Sequence, residues 1–373
     1  MKVGILKEPA GETRVSLLPE HLATLQKWNL SVYVESGAGN LAFAKDEVYE
    51  QAGARVVDRN EVLREADVLL SIHQPPVADM ATGKHAIWLG MYFPLWNPEA
   101  VAQWSSHTLS VFSLDLLPRT TRAQSMDVLS SQANIAGYKA VLLAANVYPR
   151  YFPMFMTAAG SIAPAKVLIL GAGVAGLQAI ATAKRLGAVV EVFDTRPAVK
   201  EEVMSLGAKF IEVEGAADAS AAGGYAVEQS DAFKEKQRQR IAESVAKSDI
   251  IITTAQIPGK KAPLLITEPM INSMRNGSVI VDLAAATGGN TPFTRNNETV
   301  YASGVTIIGN SALSADMPGD ASKLYGKNIL NFLQLIVKPE GSLYLNFEDD
   351  LVKGTCMVHE GVVVHEKLKG QSQ

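Results

Sequence analysis

The sequence is poor in cysteine, nearly balanced in charge and free of long apolar runs. Its single cysteine, Cys356, excludes an internal disulfide framework and is typical of a reducing compartment. The 34 basic and 38 acidic residues leave a net charge of −4, which argues against a nucleic-acid-binding protein, since such proteins normally carry a basic surplus. No run of about 18 apolar residues is present, so no bilayer-spanning helix is predicted. The first residues follow a strand pattern and lack the basic and apolar regions of a secretory signal.

Catalytic motifs are also scarce. There is no G-x-S-x-G nucleophile elbow, and the six histidines lack the spacing of metal ligands, so no metal site is predicted. Cys356 lies outside any redox motif and is predicted to pack in a strand. No general acid or base is evident. Oxidation of an alcohol or amine needs a proton acceptor at the reacting centre, and the sequence shows no motif that would supply one.

The composition is that of a compact α/β protein. The chain has 373 residues, of which 47% are hydrophobic, and its length suggests two domains. Strand and helix patterns alternate, which predicts two doubly wound, Rossmann-like α/β domains with a cleft between them. A helix predicted over 321–336 should return to the first domain and make it discontinuous. We therefore predict an amino-terminal domain of residues 1–125 plus 321–373 and a nucleotide-binding domain of residues 126–320.

A dinucleotide-binding fingerprint lies between residues 166 and 196. An apolar strand pattern is followed by a G-x-G-x-x-G turn, a helix pattern and a second apolar strand pattern; the three glycines are Gly171, Gly173 and Gly176. The first glycine permits the tight turn, the second lets the backbone approach a pyrophosphate, and the third lets helix and strand pack closely. The helix that begins at Val174 offers free N–H groups to that pyrophosphate. A dinucleotide site is therefore predicted here, the alternative being a tight βαβ turn without a ligand.

An acidic residue, Asp194, ends the second strand of this unit. A carboxylate at this place accepts hydrogen bonds from the adenosine ribose and repels a 2′-phosphate, which favours NAD(H) over NADP(H). Arg196 follows closely, and an arginine near this place can instead serve a 2′-phosphate. Further along, residues 214–230 are rich in Ala, Gly and Ser, and this composition predicts a mobile loop.

A second polar group precedes the fingerprint. A long helix is predicted over 125–148, and Gln124, Asp127 and Ser130 are spaced three apart, so they are predicted to share a face of its first turns. Arg119 and Arg122 come just before them. These groups have the chemistry to hold a carboxamide and a ribose; the alternative is an N-capped helix with solvated polar side chains.

Longer segments of the sequence resemble a known family. The segments PRTTRAQSMDVLSSQANIAGYKAV, KVLILGAGVAGLQAIATAKRLGA, FDTRPAVKEEVMSLGAKF, ITTAQIPGKKAPLLIT and NGSVIVDLAAATGGN resemble the NAD(H)-binding subunit, domain I, of proton-translocating NAD(P)+ transhydrogenase. The resemblance covers essentially the whole chain. The cousin family is alanine dehydrogenase, which has the same two-domain architecture.

The resemblance implies roles for particular residues. Those expected around the nicotinamide and its ribose are Arg119, Gln124, Asp127 and Ser130. Those expected to hold the rest of the NAD(H) are Gly171, Gly173, Val174, Gly176, Asp194, Thr195, Arg196, Gln237, Thr254, Ala255 and Gln256. Gly224 and Tyr225 correspond to the family's mobile loop. Gln256 stands where relatives often have Leu.

The resemblance also implies an assembly. It predicts a homodimer docked at the cytoplasmic face of a membrane component, with NADP(H) held by a separate domain III rather than by this chain, and hydride transfer coupled to proton entry. Two other functions remain open: an NAD(H)-binding regulatory module and an amino-acid dehydrogenase. The second is disfavoured, because of four alanine dehydrogenase site residues only the arginine is matched, by Arg14; the other three positions hold His73, Tyr92 and Ala286.

Overall fold

The computed structural model describes residues 1–82, 86–213 and 230–369, and these form two compact units. Unit 1 comprises residues 1–132 and 315–373, and unit 2 comprises residues 133–314. Unit 1 is discontinuous because the chain leaves it for the whole length of unit 2 and then returns. Within the described ranges, no helix combines the length and the apolar character needed to cross a membrane.

The strands are short, as expected for sheets whose strands are linked by helices. In chain order they are β1 (Lys2–Ile5), β2 (Ser31–Glu35), β3 (Arg55–Val57), β4 (Val68–Leu70), β5 (Ile87–Gly90), β6 (Ser110–Ser113), β7 (Phe155–Thr157), β8 (Gly160–Ile162), β9 (Lys166–Leu170), β10 (Val189–Phe193), β11 (Lys209–Phe210), β12 (Ile250–Thr253), β13 (Val279–Asp282), β14 (Glu298–Ala302), β15 (Val305–Gly309), β16 (Cys356–His359) and β17 (Val362–Val363).

The helices alternate with these strands. They are α1 (Leu22–Lys27), α2 (Asp46–Gln51), α3 (Arg59–Glu65), α4 (Val77–Thr82), α5 (Pro98–Ser105), α6 (Val128–Val147), α7 (Val174–Arg185), α8 (Lys200–Ser205), α9 (Asp231–Val245), α10 (Glu268–Asn272), α11 (Pro318–Ile336) and α12 (Asp350–Thr355). Short 3-10 helices cover Pro19–His21, Asn40–Ala42, Leu114–Leu116, Thr121–Met126, Pro197–Val199 and Ala285–Thr287.

Unit 1 contains a mostly parallel sheet with the order β17-β16-β6-β5-β4-β1-β2-β3. Strands β1 to β6 are parallel to one another, and β16 joins β6 antiparallel. Apolar clusters cover both faces of the sheet, as the near-continuous apolar strands require. Because the chain winds first from β1 outwards to β3 and then from β4 outwards to β6, the topological switch point lies between β1 and β4.

Unit 2 repeats the same plan. Its sheet has the order β11-β10-β9-β12-β13-β15-β14, and only β14 is antiparallel to its neighbour. The switch point lies between β9 and β12, where Leu170 pairs with Thr253 at the carboxyl ends of the two strands. In doubly wound sheets ligands bind at this place. The fold class predicted from the sequence, two doubly wound units of which the first is discontinuous, is confirmed.

Helix α11 belongs to unit 1, as its apolar pattern predicted. Ile329, Phe332 and Leu333 are fully buried, and the Phe332 ring lies 5.9 Å from that of Phe112 on β6. Leu324, on the same helix, is 36% exposed. The helix therefore closes one face of the first sheet and explains why the chain returns to unit 1.

Four predicted features need correction. The helix expected over 125–148 begins only at Val128, after a 3-10 turn, and the tail after residue 343 contains a helix, α12, that was not predicted. The segment before the fingerprint contains the β7–β8 hairpin, and an antiparallel edge strand, β14, was not predicted. These elements are short or largely exposed, so they lack the apolar periodicity on which sequence prediction depends.

Candidate dinucleotide site

The first glycine of the fingerprint forms the turn that leaves β9. Gly171 has φ +107°, a left-handed backbone conformation that favours glycine. A Cβ at this position would lie 2.3 Å from the Thr254 hydroxyl oxygen, which donates hydrogen bonds to the carbonyl oxygens of Leu170 (3.3 Å) and Gly171 (3.2 Å). The turn is therefore closed against the loop that follows β12, on the other side of the switch point.

The other two glycines meet opposite surroundings. A Cβ on Gly176 would lie 1.9 Å from the carbonyl oxygen of Gly171, so this position allows the close packing of α7 on the turn. A Cβ on Gly173 would meet no atom of the described residues within 4 Å. Gly173 thus has no internal packing reason to be glycine. Open space over the second glycine is what a backbone that receives a pyrophosphate requires.

The start of helix α7 adds electrostatic attraction to this space. Gly173 is the N-cap residue, and among the described residues no side-chain hydrogen bond caps the first turn. The N–H groups of that turn and the positive end of the helix dipole therefore face an anion that enters here. Val174, the first helical residue, is 39% exposed, while Lys184 and Arg185 complement the opposite end. The residues present fit a dinucleotide pyrophosphate.

Helix α6 supports α7 from within unit 2. A Cβ on Gly137 would lie 2.1 Å from the Ala175 carbonyl oxygen, so the two helices approach each other at backbone distance. The Asn134 side-chain amide donates to the Gln178 side-chain oxygen at 3.3 Å beside this contact. The start of α7 is therefore fixed by the sheet on one side and by α6 on the other.

Asp194, the residue predicted to contact the ribose, is tied into the turn by hydrogen bonds. Its carboxylate accepts a hydrogen bond from the Ala172 N–H at 2.7 Å and is only 6% exposed. Arg196 donates to it from the backbone N–H (2.8 Å), from Nε (2.9 Å) and from Nη2 (2.7 Å). This hydrogen-bonded pair raises the pKa of the Arg196 guanidinium. Arg196 is thus directed at Asp194, and Thr195 lies between them in the chain.

The loop after β12 is held by buried side chains that sequence reasoning missed. Asn290 is fully buried; its side-chain oxygen accepts from Ala255 N–H (3.2 Å), and its amide nitrogen donates to the carbonyl oxygens of Ala255 (2.9 Å) and Pro263 (2.8 Å). Asp282, also fully buried, accepts from Asn290 N–H at 2.6 Å. Gln256 donates to the Leu283 carbonyl oxygen at 2.9 Å. The only sequence signal was the polar TGGN segment after β13.

The polar residues expected around the nicotinamide lie in unit 1. Gln124 lies in the 3-10 helix Thr121–Met126, and its exposed side chain has no hydrogen-bond partner among the described residues. Asp127 ends that 3-10 helix and caps α6, accepting from Ser130 N–H (2.9 Å) and from the Ser130 hydroxyl (2.6 Å). The three residues therefore do not share one continuous helix, because the cap breaks it. Arg119 is exposed.

A second polar cluster lies at the switch point of unit 1. Burial is the main cause that raises the pKa of Glu8 to about 7, and this carboxyl accepts from Ile72 N–H (2.6 Å) and His73 N–H (3.0 Å). It lines a cavity of about 220 Å³. Tyr92 nearby is buried and bonds to Ser71 at 3.0 Å, and burial raises its pKa far above neutrality. Tyr92 is therefore no acid or base at neutral pH.

Some predicted residues have no described contact with the site. Gly224 and Tyr225, and the loop predicted over 214–230 except Ser230, lie outside the described residues. Gln237 lies on α9 and is half-buried. Cys356 is buried in β16, as predicted, and burial raises the pKa of its thiol to about 12, so it is unreactive.

The switch-point turn, the open second glycine and the acidic strand end define a dinucleotide-binding α/β protein of two doubly wound units. Models of known families match both halves of the chain: "Alanine dehydrogenase/PNT, N-terminal domain" over residues 4–136 and "Alanine dehydrogenase/PNT, C-terminal domain" over residues 140–366.

Individual proteins are similar over the full length. The first portion of the NAD(P) transhydrogenase alpha subunit of Rhodospirillum rubrum is 44% identical over 382 aligned residues, which cover 100% of both chains. The corresponding protein of Rickettsia prowazekii is 42% identical and covers 98% of this chain and 96% of its own. The crystal structure of transhydrogenase from Sinorhizobium meliloti matches with a TM-score of 0.89 and 44% identity, over 98% of this chain and 100% of that one.

The chain belongs to the alanine dehydrogenase/PNT family and, within it, to the alpha subunits of NAD(P) transhydrogenase, which are oxidoreductases. The family predicted from the sequence segments is thereby confirmed. Membership of this family implies binding of a nicotinamide nucleotide, and the fingerprint turn of unit 2 is the region of the chain that fits it.

Proposed function

We propose that this chain binds NAD(H) and passes hydride between NADH and NADP+ held on a partner domain. The observation that carries the proposal is the turn at the switch point of unit 2, where Gly173 faces open space at an uncapped helix start. The pairing of Arg196 with Asp194 supports NAD(H) rather than NADP(H), because the guanidinium is directed at a carboxylate of the chain itself.

The proposal assigns each end of the coenzyme to residues of this chain. The turn glycines and Val174 hold the pyrophosphate, and Asp194 with Thr195 and Arg196 holds the adenosine ribose. Arg119, Gln124, Asp127 and Ser130 hold the nicotinamide and its ribose. The loop of Thr254, Ala255 and Gln256, braced by Asn290, lines the site beside the turn. Gln237, Gly224 and Tyr225 complete it.

The chemistry asks little of the protein beyond binding and alignment. Bound NADH supplies the hydride, and no proton changes hands between two nicotinamides, so no general base is needed. Gln124 suits an aligning role, since its carboxamide is exposed and has no partner among the described residues. Asp127 and Ser130 hold each other by two hydrogen bonds, which fixes the direction of both side chains.

The residues at two positions that amino-acid oxidation requires do not fit that chemistry. The dehydrogenase needs a group that accepts a proton. Tyr92, at the position of the cousin family's histidine, has its pKa raised far above neutrality by burial, and Ala286 cannot take the place of an aspartate. The chain has the turn for the coenzyme without the acid–base pair for the substrate.

We also propose the assembly that the resemblance implies: a homodimer docked at the cytoplasmic face of a membrane component, with NADP(H) on a separate domain III. An exposed apolar hairpin supports the homodimer. Met154 and Met156 are 62% and 73% exposed, and the rings of Tyr151 and Phe155 stack 5.1 Å apart next to them. An exposed apolar patch of this kind is typical of protein interfaces.

Mixing the purified chain with a purified domain III loaded with NADP+ tests the proposed function. NADH is added, and the formation of NADPH is followed in a single turnover. We expect transfer that requires both proteins. Tight NADH binding without transfer would instead favour the regulatory module, and turnover of pyruvate and ammonia by the chain alone would favour the amino-acid dehydrogenase.

A further inference from the structure

Arg14 is a buried arginine whose place in the function is not yet explained. It is only 6% exposed and lies in the segment that follows β1. Its Nε and Nη2 atoms donate to the two carboxylate oxygens of Glu12 at 2.8 and 2.6 Å, a bidentate pair. The third nitrogen, Nη1, donates to the side-chain oxygen of Gln132 at 2.7 Å. Every nitrogen of the guanidinium is therefore used within the protein.

Glu12 fixes the direction of this arginine. Burial alone would raise the pKa of Glu12, but hydrogen bonds from Arg14 and His73 hold that pKa far below its ordinary value. The carboxylate also accepts from the backbone N–H groups of Arg14 (2.9 Å) and Thr13 (3.0 Å). His73 Nε2 lies 2.6 Å from it. The charge pair is thus compact, and it leaves Nη1 pointed at Gln132.

Gln132 receives this bond and passes the constraint to helix α6. Its side-chain oxygen accepts from Arg14, and its amide nitrogen donates to the carbonyl oxygen of Ala321 at 3.1 Å. Both ends of the buried amide are therefore held. Gln132 lies in the first turns of α6, the same turns that carry Ser130 and are capped by Asp127. A helical turn is stiff, so a fixed Gln132 limits the movement of those two residues.

We propose that Arg14 is a positioning residue for hydride transfer: through Gln132 it holds the first turn of α6, and with it Asp127 and Ser130, in one place. This inference rests on the proposed function, in which these two residues face the nicotinamide. Of the four substrate-site residues of the cousin family, this chain has only the arginine, Arg14. The positioning role explains what Arg14 does when the other three are missing. Arg14 acts here on the protein and not on a substrate.

Two substitutions test the connection. Gln132→Met keeps the length of the side chain but removes both hydrogen bonds, and Arg14→Lys keeps the charge but cannot form the bidentate pair and the third bond together. Arg55→Lys is the matched control, since Arg55 pairs with Glu61 on the surface and is 64% exposed. The double variant Arg14→Lys/Gln132→Met completes the cycle.

Transfer kinetics give the first readout. We expect Arg14→Lys and Gln132→Met each to slow single-turnover hydride transfer about tenfold while NADH affinity falls less than about threefold, because alignment rather than binding is disturbed. The double variant should be no slower than the slower single variant, since the two residues act as one unit. A multiplied loss of about a hundredfold, or equal losses of rate and affinity, would overturn the inference.

Amide hydrogen exchange gives a second readout that needs no transfer. In both variants the Ser130 and Ser131 amides should exchange about tenfold faster than in the native chain, whereas Arg55→Lys should leave them unchanged. Unaltered exchange at these amides refutes the positioning role whatever the transfer rates are. If the native chain transfers no hydride, the proposed function fails, and exchange still decides whether Arg14 holds this turn.

Discussion

In the proposed function, the hydrogen-bonded pair of Asp194 and Arg196 recognises the adenosine end of the coenzyme. The carboxylate is nearly buried and accepts from three nitrogens of Arg196 and from the Ala172 N–H. The hydroxyls of an unmodified ribose can donate hydrogen bonds to this carboxylate, whereas a 2′-phosphate is repelled by its negative charge. The arginine next to it contributes to selectivity only as long as the carboxylate holds it.

Without the Asp194 carboxylate, Arg196 should therefore favour binding of NADPH rather than support selectivity for NADH. For Asp194→Ala we expect NADH affinity to fall about tenfold or more, since bonds to a charged group are worth about 1.5–3 kcal/mol. NADPH affinity should rise, because the repulsion is gone and the Arg196 guanidinium is released. Fluorescence titration with both coenzymes measures this. Asp194→Ala/Arg196→Ala should lose the gain in NADPH affinity, and an unchanged preference in Asp194→Ala would place selectivity elsewhere.

Gln124 offers a test at the nicotinamide end. For Gln124→Asn we expect hydride transfer to slow by about tenfold or more while NADH affinity stays within about threefold, because a shortened side chain shifts alignment rather than binding energy. Single-turnover rates and equilibrium titration give the two quantities. Parallel losses of both would contradict an aligning role. Ser205, an exposed residue on α8, provides a neutral control as Ser205→Ala.

Prediction from sequence succeeded for residues with local signals and failed for residues with distant partners. Gly171 and Asp194 follow a fixed spacing, so the sequence alone predicts the turn. Asn290 contacts Ala255 and Pro263 across the sheet ends, a contact that depends on the order of β12 and β13. Asp127 gave a local signal, an aspartate at a helix start, but the regular spacing of three suggested a longer helix.

Among elements, helix α7 carries the sharpest contrast, since two of its glycines have different reasons to be glycine. For Gly173→Ala we expect a normal midpoint of thermal unfolding, within about 1 °C of the native chain, because φ is −77° and the added methyl group meets no atom within 4 Å. NADH affinity should nevertheless fall about tenfold or more, since the methyl group occupies the place of the pyrophosphate.

Gly176→Ala should behave in the opposite way. Its added Cβ would lie 1.9 Å from the Gly171 carbonyl oxygen, so helix and turn must separate. We expect a loss of about 1–3 kcal/mol in the free energy of unfolding, the usual cost of an overpacked contact. Denaturant unfolding measures it for both variants. A stable Gly176→Ala chain, or a Gly173→Ala chain with full NADH affinity, would contradict this division of roles.

Element prediction was accurate where burial imposes a pattern. Strands β9 and β10 and helix α7 form the strand–helix–strand unit predicted between residues 166 and 196, since their buried apolar residues set its pattern. The exposed hairpin of β7 and β8 was missed because all six of its residues face solvent. Helix α12 was missed because it is too short for a period to be read.

At the scale of the whole molecule, Glu8 makes stability depend on pH near neutrality. Burial raises its pKa to about 7 in the folded chain, against an ordinary value of 4.5. Between these two pH values the folded chain binds a proton that the unfolded chain does not, so stability falls as pH rises through this window. The fall can reach about 3 kcal/mol, since one pKa unit corresponds to about 1.4 kcal/mol.

Substitution of Glu8 checks this slope. For Glu8→Gln we expect the free energy of unfolding to decline less between pH 5 and pH 7 than in the native chain, as measured by urea unfolding. Slopes are compared rather than absolute values, because glutamine loses one hydrogen bond to Ile72 or His73. His21 and His365, whose pKa values burial lowers, act in the opposite sense and are common to both proteins. Equal slopes would show that Glu8 titrates normally.

The five strands around the switch point follow the same order in both units, yet the glycine fingerprint lies in unit 2. At its switch point unit 1 instead has buried side chains, among them Glu8 and Tyr92. Sequence patterns could establish two doubly wound units, because alternation of strands and helices is local. They could not establish which polar side chains would pair inside unit 1, since Arg14 and Gln132 are brought together only by the completed fold.

The open space over Gly173 has a consequence for the genetics of this protein. We expect the Gly173→Ala chain to keep its fold. Because cellular proteases degrade mainly unfolded chains, this chain should accumulate to its usual level. We expect such a chain to enter the same complex as the native chain and to occupy its place there without transferring hydride. Harmful variants at Gly173 should therefore be dominant, because the inactive chain takes the place of the native one. Variants at Gly176 should instead reduce the amount of folded chain.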